Sequence, residues 1–372
     1  MSIFGRLATI SIAVIVGGCQ AAPTGTIAPT SPSPAATTVV TPSVPATASS
    51  TASVVPLSIA PPVSLLVDTD GAPDDLVALS FLVAAPNVTL KAITVSGTGE
   101  VHCPGGVDIV LRLLERLASP EIPVACGTDR PIALGHAFPD LFRSNADAAA
   151  GLDLPSTTRS AAKATAVELI GSTVTDGGID LRILTLGPLT NLAQALTERP
   201  ELAKSIEAVY VMGGAVDVPG NIAGSPSGPQ DNTAAEWNVY VDPAALAQVL
   251  AAGTDVRLVS LDGTNQVPVT SAFAERVRST ASGAPLAVLA ELFQENYYMT
   301  SGQFYLWDTV AAIAAAGYPV AVFTDAELRV DVTESVTSGA TRHGDGPPNA
   351  SYMTRADAAT IEALLLDVMN RS

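Results

Sequence analysis

Six short runs rich in Val, Ile and Leu punctuate the chain, at residues 64–68, 90–96, 122–126, 181–186, 207–213 and 256–261. Stretches with helical spacing lie between them, among them 75–84, 105–118, 159–175, 189–197 and 243–252. A strand that is apolar on both faces must be covered on both faces. Such strands alternating with helices predict an α/β fold, a single domain with a mainly parallel central sheet flanked by helices. Ligands in these folds bind beyond the C-terminal ends of the strands. The residues that follow the runs suit that role. Asp68 and Asp70 close the first, "GTGEVH" (97–102) follows the second, "LGPLTN" (186–191) the fourth, "MGG" (212–214) the fifth and "LDGTNQ" (261–266) the sixth.

The beginning of the chain has another character. In "MSIFGRLATISIAVIVGGCQ" a single Arg precedes an apolar run of about ten residues, too short to span a bilayer as a helix. Val16-Gly17-Gly18-Cys19 resembles a bacterial lipobox, in which the cysteine is lipidated after cleavage. Residues 1–19 therefore read as a lipoprotein signal peptide. Residues 20–62 are rich in Ala, Pro, Ser, Thr and Val and carry no charge, the composition of a disordered tether. Residues 63–372 remain as the folded domain. This reading puts the domain outside the cytoplasm, touching a membrane only through its lipid. Of the three cysteines, Cys103 and Cys126 are then left, either as a disulfide in an oxidising compartment or as two buried thiols. The net charge of −18 excludes a nucleic-acid partner, which needs a basic surface.

The acidic stretch "LLVDTDGAPDDLVALSFL" (65–82) sets Asp68, Asp70, Asp74 and Asp75 within eight positions, between a buried strand and a helix. Pro73 suits a first helical turn, where Asp74 and Asp75 meet the positive end of the helix dipole. That interaction is worth about 0.3–1 kcal/mol per carboxylate, too little to keep four of them ionised together. A divalent cation suffices, and an all-oxygen donor set points to Ca²⁺ or Mg²⁺, with the flexible ligand count favouring Ca²⁺.

"VDTDGAP" resembles the haloacid-dehalogenase-like phosphatases, in which the first Asp is a nucleophile. "DTDGAPDD" is similar to the Asp-x-Asp-Pro-Gly-x-Asp-Asp signature of the inosine/uridine-preferring nucleoside hydrolases, and the Asp-Asp pair favours that family. Further segments resemble the same family in order: "LKAITVSGTGEV" (90–101), "LTLGPLTNLAQAL" (184–196), "VYVMGGAV" (209–216), "AEWNVYVDPAA" (235–245) and "LWDTVAAIAA" (306–315). The resemblance implies a Rossmann-like core, hydrolysis of the N-glycosidic bond of ribonucleosides, a bound Ca²⁺ and an assembly of copies of the chain. By motif position it implies that Asp70, Asp75, Asp308 and the carbonyl of Leu186 ligate calcium. It also implies that Asp70 is the general base on a calcium-bound water. Asp74, Asn221, Glu236 and Asn238 would bind the ribose and Met212 would lie beside it. Asn232 is the alternative to Asn221, because an insertion, "AGSPSGPQD", separates them.

Two positions depart from the family. Thr98 stands where many members have a sugar-contacting Asn, and Trp307 where purine-active members have a His that protonates the leaving base. His102 is a candidate replacement acid. Trp307, Tyr297, Tyr298 and Tyr305 are candidates for stacking on a base. A surface lipoprotein that binds nucleosides without turning them over is the competing reading.

Overall fold

A computed structural model describes residues 60–371. Cys19 and nearly all of the expected signal peptide and tether lie outside the described residues. The strands are β1 (Val63–Thr69), β2 (Val88–Val95), β3 (Val124–Cys126), β4 (Leu181–Thr185), β5 (Ile206–Met212), β6 (Val256–Val259), β7 (Ala321–Ala326), β8 (Leu328–Val330), β9 (Thr341–His343) and β10 (Ala350–Ala356). Among them run α1 (Pro73–Ala84), α2 (Gly105–Arg116), α3 (Asp140–Asp147), α4 (Ala166–Gly177), α5 (Thr190–Glu198) and α6 (Trp237–Val241). They continue as α7 (Pro243–Ala251), α8 (Leu261–Thr264), α9 (Ser271–Thr280), α10 (Ala284–Glu295), α11 (Trp307–Ala315) and α12 (Ala358–Met369). None of the described helices is long and apolar enough to cross a membrane.

Eight strands form one sheet in the order β3-β2-β1-β4-β5-β6-β10-β7, while β8 and β9 make a separate two-stranded ribbon. Every pair in the large sheet is parallel except β10 with β7 at the edge. The order 3-2-1-4-5-6 reverses direction between β1 and β4, and the crevice at such a reversal is where these sheets bind ligands. In register, Asp68 on β1 faces Thr94 on one side and Thr185 on the other.

The apolar strands work as expected. Leu65 and Val67 enter one core with Leu76 and Phe81 of α1, Leu289 of α10 and Ile313 of α11. Leu66 points the other way, into a second core with Ile170 of α4, Leu192 of α5 and Leu246 of α7. Helix α1 is buried almost all round, so it has no polar face to reveal its orientation.

The structure differs from the sequence reading in two places. Helix α4 starts at Ala166 rather than 159, because Thr165 and Glu168 form a reciprocal capping box. Strands β7, β8, β9 and β10 lie outside the apolar runs that the sequence offers. β7 alternates half-exposed and exposed positions, the mark of an edge strand rather than of a buried run.

A disulfide joins Cys103, just before α2, to Cys126 at the end of β3, with Cα atoms 5.8 Å apart and a sequence separation of 23. It staples the loop after β2 to its neighbouring strand. Loop-closure entropy assigns a bridge of this span about 3 kcal/mol. The Cys103→Ser/Cys126→Ser double variant should lose about that much unfolding free energy in a denaturant titration. An unchanged midpoint at equal slope would contradict it.

Candidate active site

The site begins where β1 ends. Asp68 is buried, and its Oδ1 accepts from Thr94 Oγ1 (2.6 Å) and Asn191 Nδ2 (2.8 Å). Its Oδ2 has no hydrogen-bond partner among the described residues. Burial pushes its carboxyl up to about 7, against those two hydrogen bonds. Its Oδ1 is thus committed to tying β1 to Thr94 of β2 and Asn191 of α5.

The next turn is held by Asp75. Its Oδ1 accepts from the Thr69 hydroxyl and from the Asp70 amide at 3.0 Å. Gly71 adopts φ +70° and donates its N–H to Thr69 Oγ1 at 3.2 Å. Proline can do neither, since its ring fixes φ near −65° and it has no N–H. The loop of this chain thus uses Gly-Ala in a backbone path that the usual Pro-Gly would not follow.

Asp70 is gripped between two glycines. A Cβ at Gly99 would lie 2.1 Å from the Asp70 Cβ, and one at Gly187 would lie 2.4 Å from it. The Asp70 Oδ2 accepts from the Glu100 amide at 3.2 Å. Burial, followed by the charges of Asp75 and Glu100, holds the Asp70 carboxyl well above the ordinary range.

Carboxylate oxygens of Asp74, Asp75 and Asp308 lie within 4.8 Å of one another. Asp74 and Asp75 stand in the first turn of α1 and Asp308 in the first turn of α11, so two positive helix ends converge on them. No Lys, Arg or His pairs with any of the three among the described residues. Asp75 Oδ2 is buried without a hydrogen-bond partner. Burial first, then the neighbouring charges, pushes Asp74 up to about 8 and Asp308 well above the ordinary range. An orphaned carboxylate oxygen inside an unpaired cluster is what a metal ion would satisfy, and the donors are hard oxygens suited to Ca²⁺ or Mg²⁺. The cluster contains Asp74 in place of Asp70, whose Oδ2 is turned to Glu100.

The residues that the sequence reading assigns to the sugar are tied into nearby backbone. Asn238 donates to the carbonyls of Leu186 (2.7 Å) and Met212 (3.2 Å), tying the end of β4 to the end of β5. Glu236 caps α6 and accepts from the amides of Gly214, Asn238 and Val239 at 2.9–3.2 Å. Asn221 Oδ1 accepts from the Trp237 amide at 3.2 Å. Asn232 is buried, with its oxygen on the Ala234 and Ala235 amides and its nitrogen on the Ser338 carbonyl, so it serves as a loop pin.

Two expected residues are committed elsewhere. The buried Thr98 hydroxyl joins a chain with Ser96 (2.9 Å) and Thr190 (3.1 Å), which continues from Thr190 to Asp242. Both ring nitrogens of His102 are engaged, Nδ1 with Asp147 at 2.7 Å and Nε2 as acceptor from Arg143 Nε at 3.0 Å. That arrangement leaves His102 no free ring proton to give a leaving group. The aromatic side chains near Asp308 pack mainly on one another. Trp307 donates to Asn265 Oδ1 at 3.2 Å and packs on Phe304 and Tyr305 with ring centroids 4.9 and 5.5 Å away. Tyr298 packs on Phe304, and the charges of Asp74 and Glu100 add to burial in raising its hydroxyl. Tyr297 is 81% exposed.

A family model described as inosine-uridine preferring nucleoside hydrolase matches residues 65–363. The chain belongs to this family. It is 34% identical, over 252 residues, to the pyrimidine-specific ribonucleoside hydrolase RihA of Salmonella schwarzengrund (strain CVM19633), covering 67% of this chain and 75% of that one. A plant nucleoside hydrolase, PpNRh1, superposes with a TM-score of 0.72 at 25% identity, over 84% of this chain and 100% of the other. The purine-preferring ribonucleoside hydrolase from Gardnerella vaginalis superposes with a TM-score of 0.71 at 25% identity, over 82% and 98%. The protein is a ribonucleoside hydrolase, cleaving the N-glycosidic bond. The binder reading of the sequence gives way to an enzyme.

In this nucleoside hydrolase the site residues that the sequence did not single out are Gly99, Gly187, Glu100, Asn191, Asn265 and Arg143. The glycines are visible in "GTGEV" and "LGPLT", but nothing in a linear pattern says which side chain they make room for.

The raised carboxyls fix a pH dependence. Asp68 and Asp74 keep their protons to about 7 and about 8 in the folded chain, against 3.8 for an ordinary Asp. Their stabilising contribution is full below that ordinary value and is lost as pH rises through the raised ones. The metal-stripped protein should therefore melt at a lower temperature at about pH 8 than at about pH 5, and added Ca²⁺ should narrow the gap. Equal melting temperatures in chelator would refute the arrangement.

Proposed function

We propose that this hydrolase works with calcium and takes the proton of its attacking water at Asp70. The observation that carries the reading is the unpaired cluster of Asp74, Asp75 and Asp308, with its orphaned Asp75 oxygen, next to an Asp70 held between Gly99 and Gly187. Asp74, Asp75 and Asp308 would hold the ion, and the family resemblance adds Asp70 and the Leu186 carbonyl beside them. When bound, Ca²⁺ supplies the positive charge that polarises water and fixes ribose hydroxyls.

The rest is the work of the chain's own groups. Asp70 accepts the water proton at its carboxylate. Asp74, Asn221, Glu236 and Asn238 hold the ribose, and Met212 closes the pocket behind it. The water oxygen bonds the sugar carbon as the bond to the base nitrogen breaks, positive charge develops on the ring, and the departing base nitrogen takes up a proton from solvent. The surrounding carboxylates favour that charge. Trp307, stacked on Phe304 and steadied by Asn265, provides the aromatic surface for the departing base. RihA is named for pyrimidine substrates and the Gardnerella enzyme for purines, and a flat aromatic surface can accept either ring.

A panel of purine, pyrimidine and modified ribonucleosides, scored by free reducing sugar, tests the assignment. Asp70→Asn should lower kcat by about a thousandfold while leaving the fold intact. Chelation should abolish turnover and Ca²⁺ should restore it. Wild-type activity in Asp70→Asn, or in the chelated enzyme, would overturn the reading.

We further propose that the enzyme acts outside the cytoplasm, anchored by lipid at Cys19. The lipobox-like segment and the Cys103–Cys126 bridge support this. Cys19→Ser should move the protein from the membrane fraction to the soluble one. Retention in the membrane fraction would sink the anchor.

A further inference from the structure

The loop that contacts Asp70 spans residues 97–102 and is held from behind by α3. Arg143 of α3 is 9% exposed. Its Nη1 donates to the Gly99 carbonyl at 2.6 Å, its Nη2 to the Gly97 carbonyl at 3.1 Å, and its Nε to His102 Nε2 at 3.0 Å. Asp147, one turn further along α3, fixes His102 through its amide at 2.9 Å and its ring at 2.7 Å. The guanidinium therefore grips three points of one short loop, in the fork geometry that only arginine offers. Among the described residues it has no carboxylate within ion-pair distance.

The charges of Glu100 and Asp147 balance the guanidinium from further away, while its own donors go to the loop. What it holds is specific. Gly99 is the residue whose Cα abuts Asp70, leaving no room for a side chain. The next amide, of Glu100, donates to Asp70 Oδ2, and the amide of Val101 donates to the Asp70 carbonyl. Each contact that the loop makes with Asp70 lies within or next to the span that Arg143 grips. Asn145 of the same helix reaches the Tyr298 hydroxyl at 3.4 Å, so α3 braces the aromatic rim as well.

We propose that Arg143 is a positioning residue for the hydrolysis: by clamping Gly97, Gly99 and His102 it sets the orientation of the Asp70 carboxylate. This rests on the reading of Asp70 as the base. The hydrogen bonds of Arg143 go to Gly97, Gly99 and His102 and not to the carboxylates, so its loss misplaces a catalytic group without removing one.

Steady-state kinetics of the full Ca²⁺-loaded chain on uridine and inosine test it. Arg143→Ala should lower kcat about a hundredfold, the cost of misplacing a catalytic group by about 1 Å, with KM nearly unchanged. Arg143→Lys keeps the charge and stem but not the fork, and should lose about as much. Guanidinium ion at low millimolar concentration should restore part of the kcat of Arg143→Ala and none of that of Asp70→Asn. Where Arg143→Ala does not fold, Arg143→Lys carries the test. Full activity in Arg143→Lys, or a loss in Arg143→Ala that follows the melting temperature and ignores guanidinium, overturns the proposal. An active Asp70→Asn removes the base reading and this proposal with it. An inactive Asp70→Asn beside a fully active Arg143→Ala removes this proposal alone.

Discussion

Carboxylates crowded beyond the end of β1, with no basic side chain paired to them among the described residues, are the constraint around which this molecule is arranged. Asp68, Asp70, Asp75 and Asp308 are all buried, and Asp74 is partly so. Each ionised carboxylate loses hydration on burial and repels its neighbours. The protein answers with backbone and dipoles. The α1 and α11 N-termini converge on Asp74, Asp75 and Asp308. Asp75 accepts a hydroxyl and an amide, and Glu236 accepts three amides. These donors leave the deepest oxygens unserved, and a cation with several oxygen ligands would complete them.

The carboxylates lie where the sheet order reverses. The switch between β1 and β4 opens a crevice at their C-terminal ends, and the acidic turn of β1 and the Leu186 carbonyl of β4 both come to its edge. The helices that cap the crevice are apolar on the side facing the core. Ile313 of α11 and Leu76 of α1 share the core with Leu65, so the stability of the fold is paid in burial while its helix ends are left free for charge.

Much of this was legible in the sequence because it is local. The strand runs, the Pro73 helix start and the ordered family segments each announce themselves within a dozen residues. What was not legible depends on partners far along the chain. Thr98 was expected to face the sugar, but Thr190 and Asp242 draw its hydroxyl into a buried chain. His102 was expected to be a candidate acid, but Arg143 and Asp147, some forty residues on, occupy its ring. Asn232 was the alternative to Asn221, and its backbone partners at Ala234, Ala235 and Ser338 make it a pin. Gly99 and Gly187 carry no side-chain signal at all; their meaning is a void filled by Asp70.

The segment from Gly97 to Cys126 then takes on a coherent sense. Its loop meets Asp70 at one end, is gripped by α3 from behind and is stapled by a disulfide to β3. Family members with an Asn at the Thr98 position can use that side chain on the sugar. Here the same position is spent on internal order, through Ser96 and Thr190. A loop held by such internal restraints is rigid by construction, and rigidity suits the general base proposed at Asp70, whose carboxylate takes a single amide from that loop. Trp307, Tyr298 and Asn265, the residues proposed to meet the leaving base, lie on segments that the disulfide does not restrain.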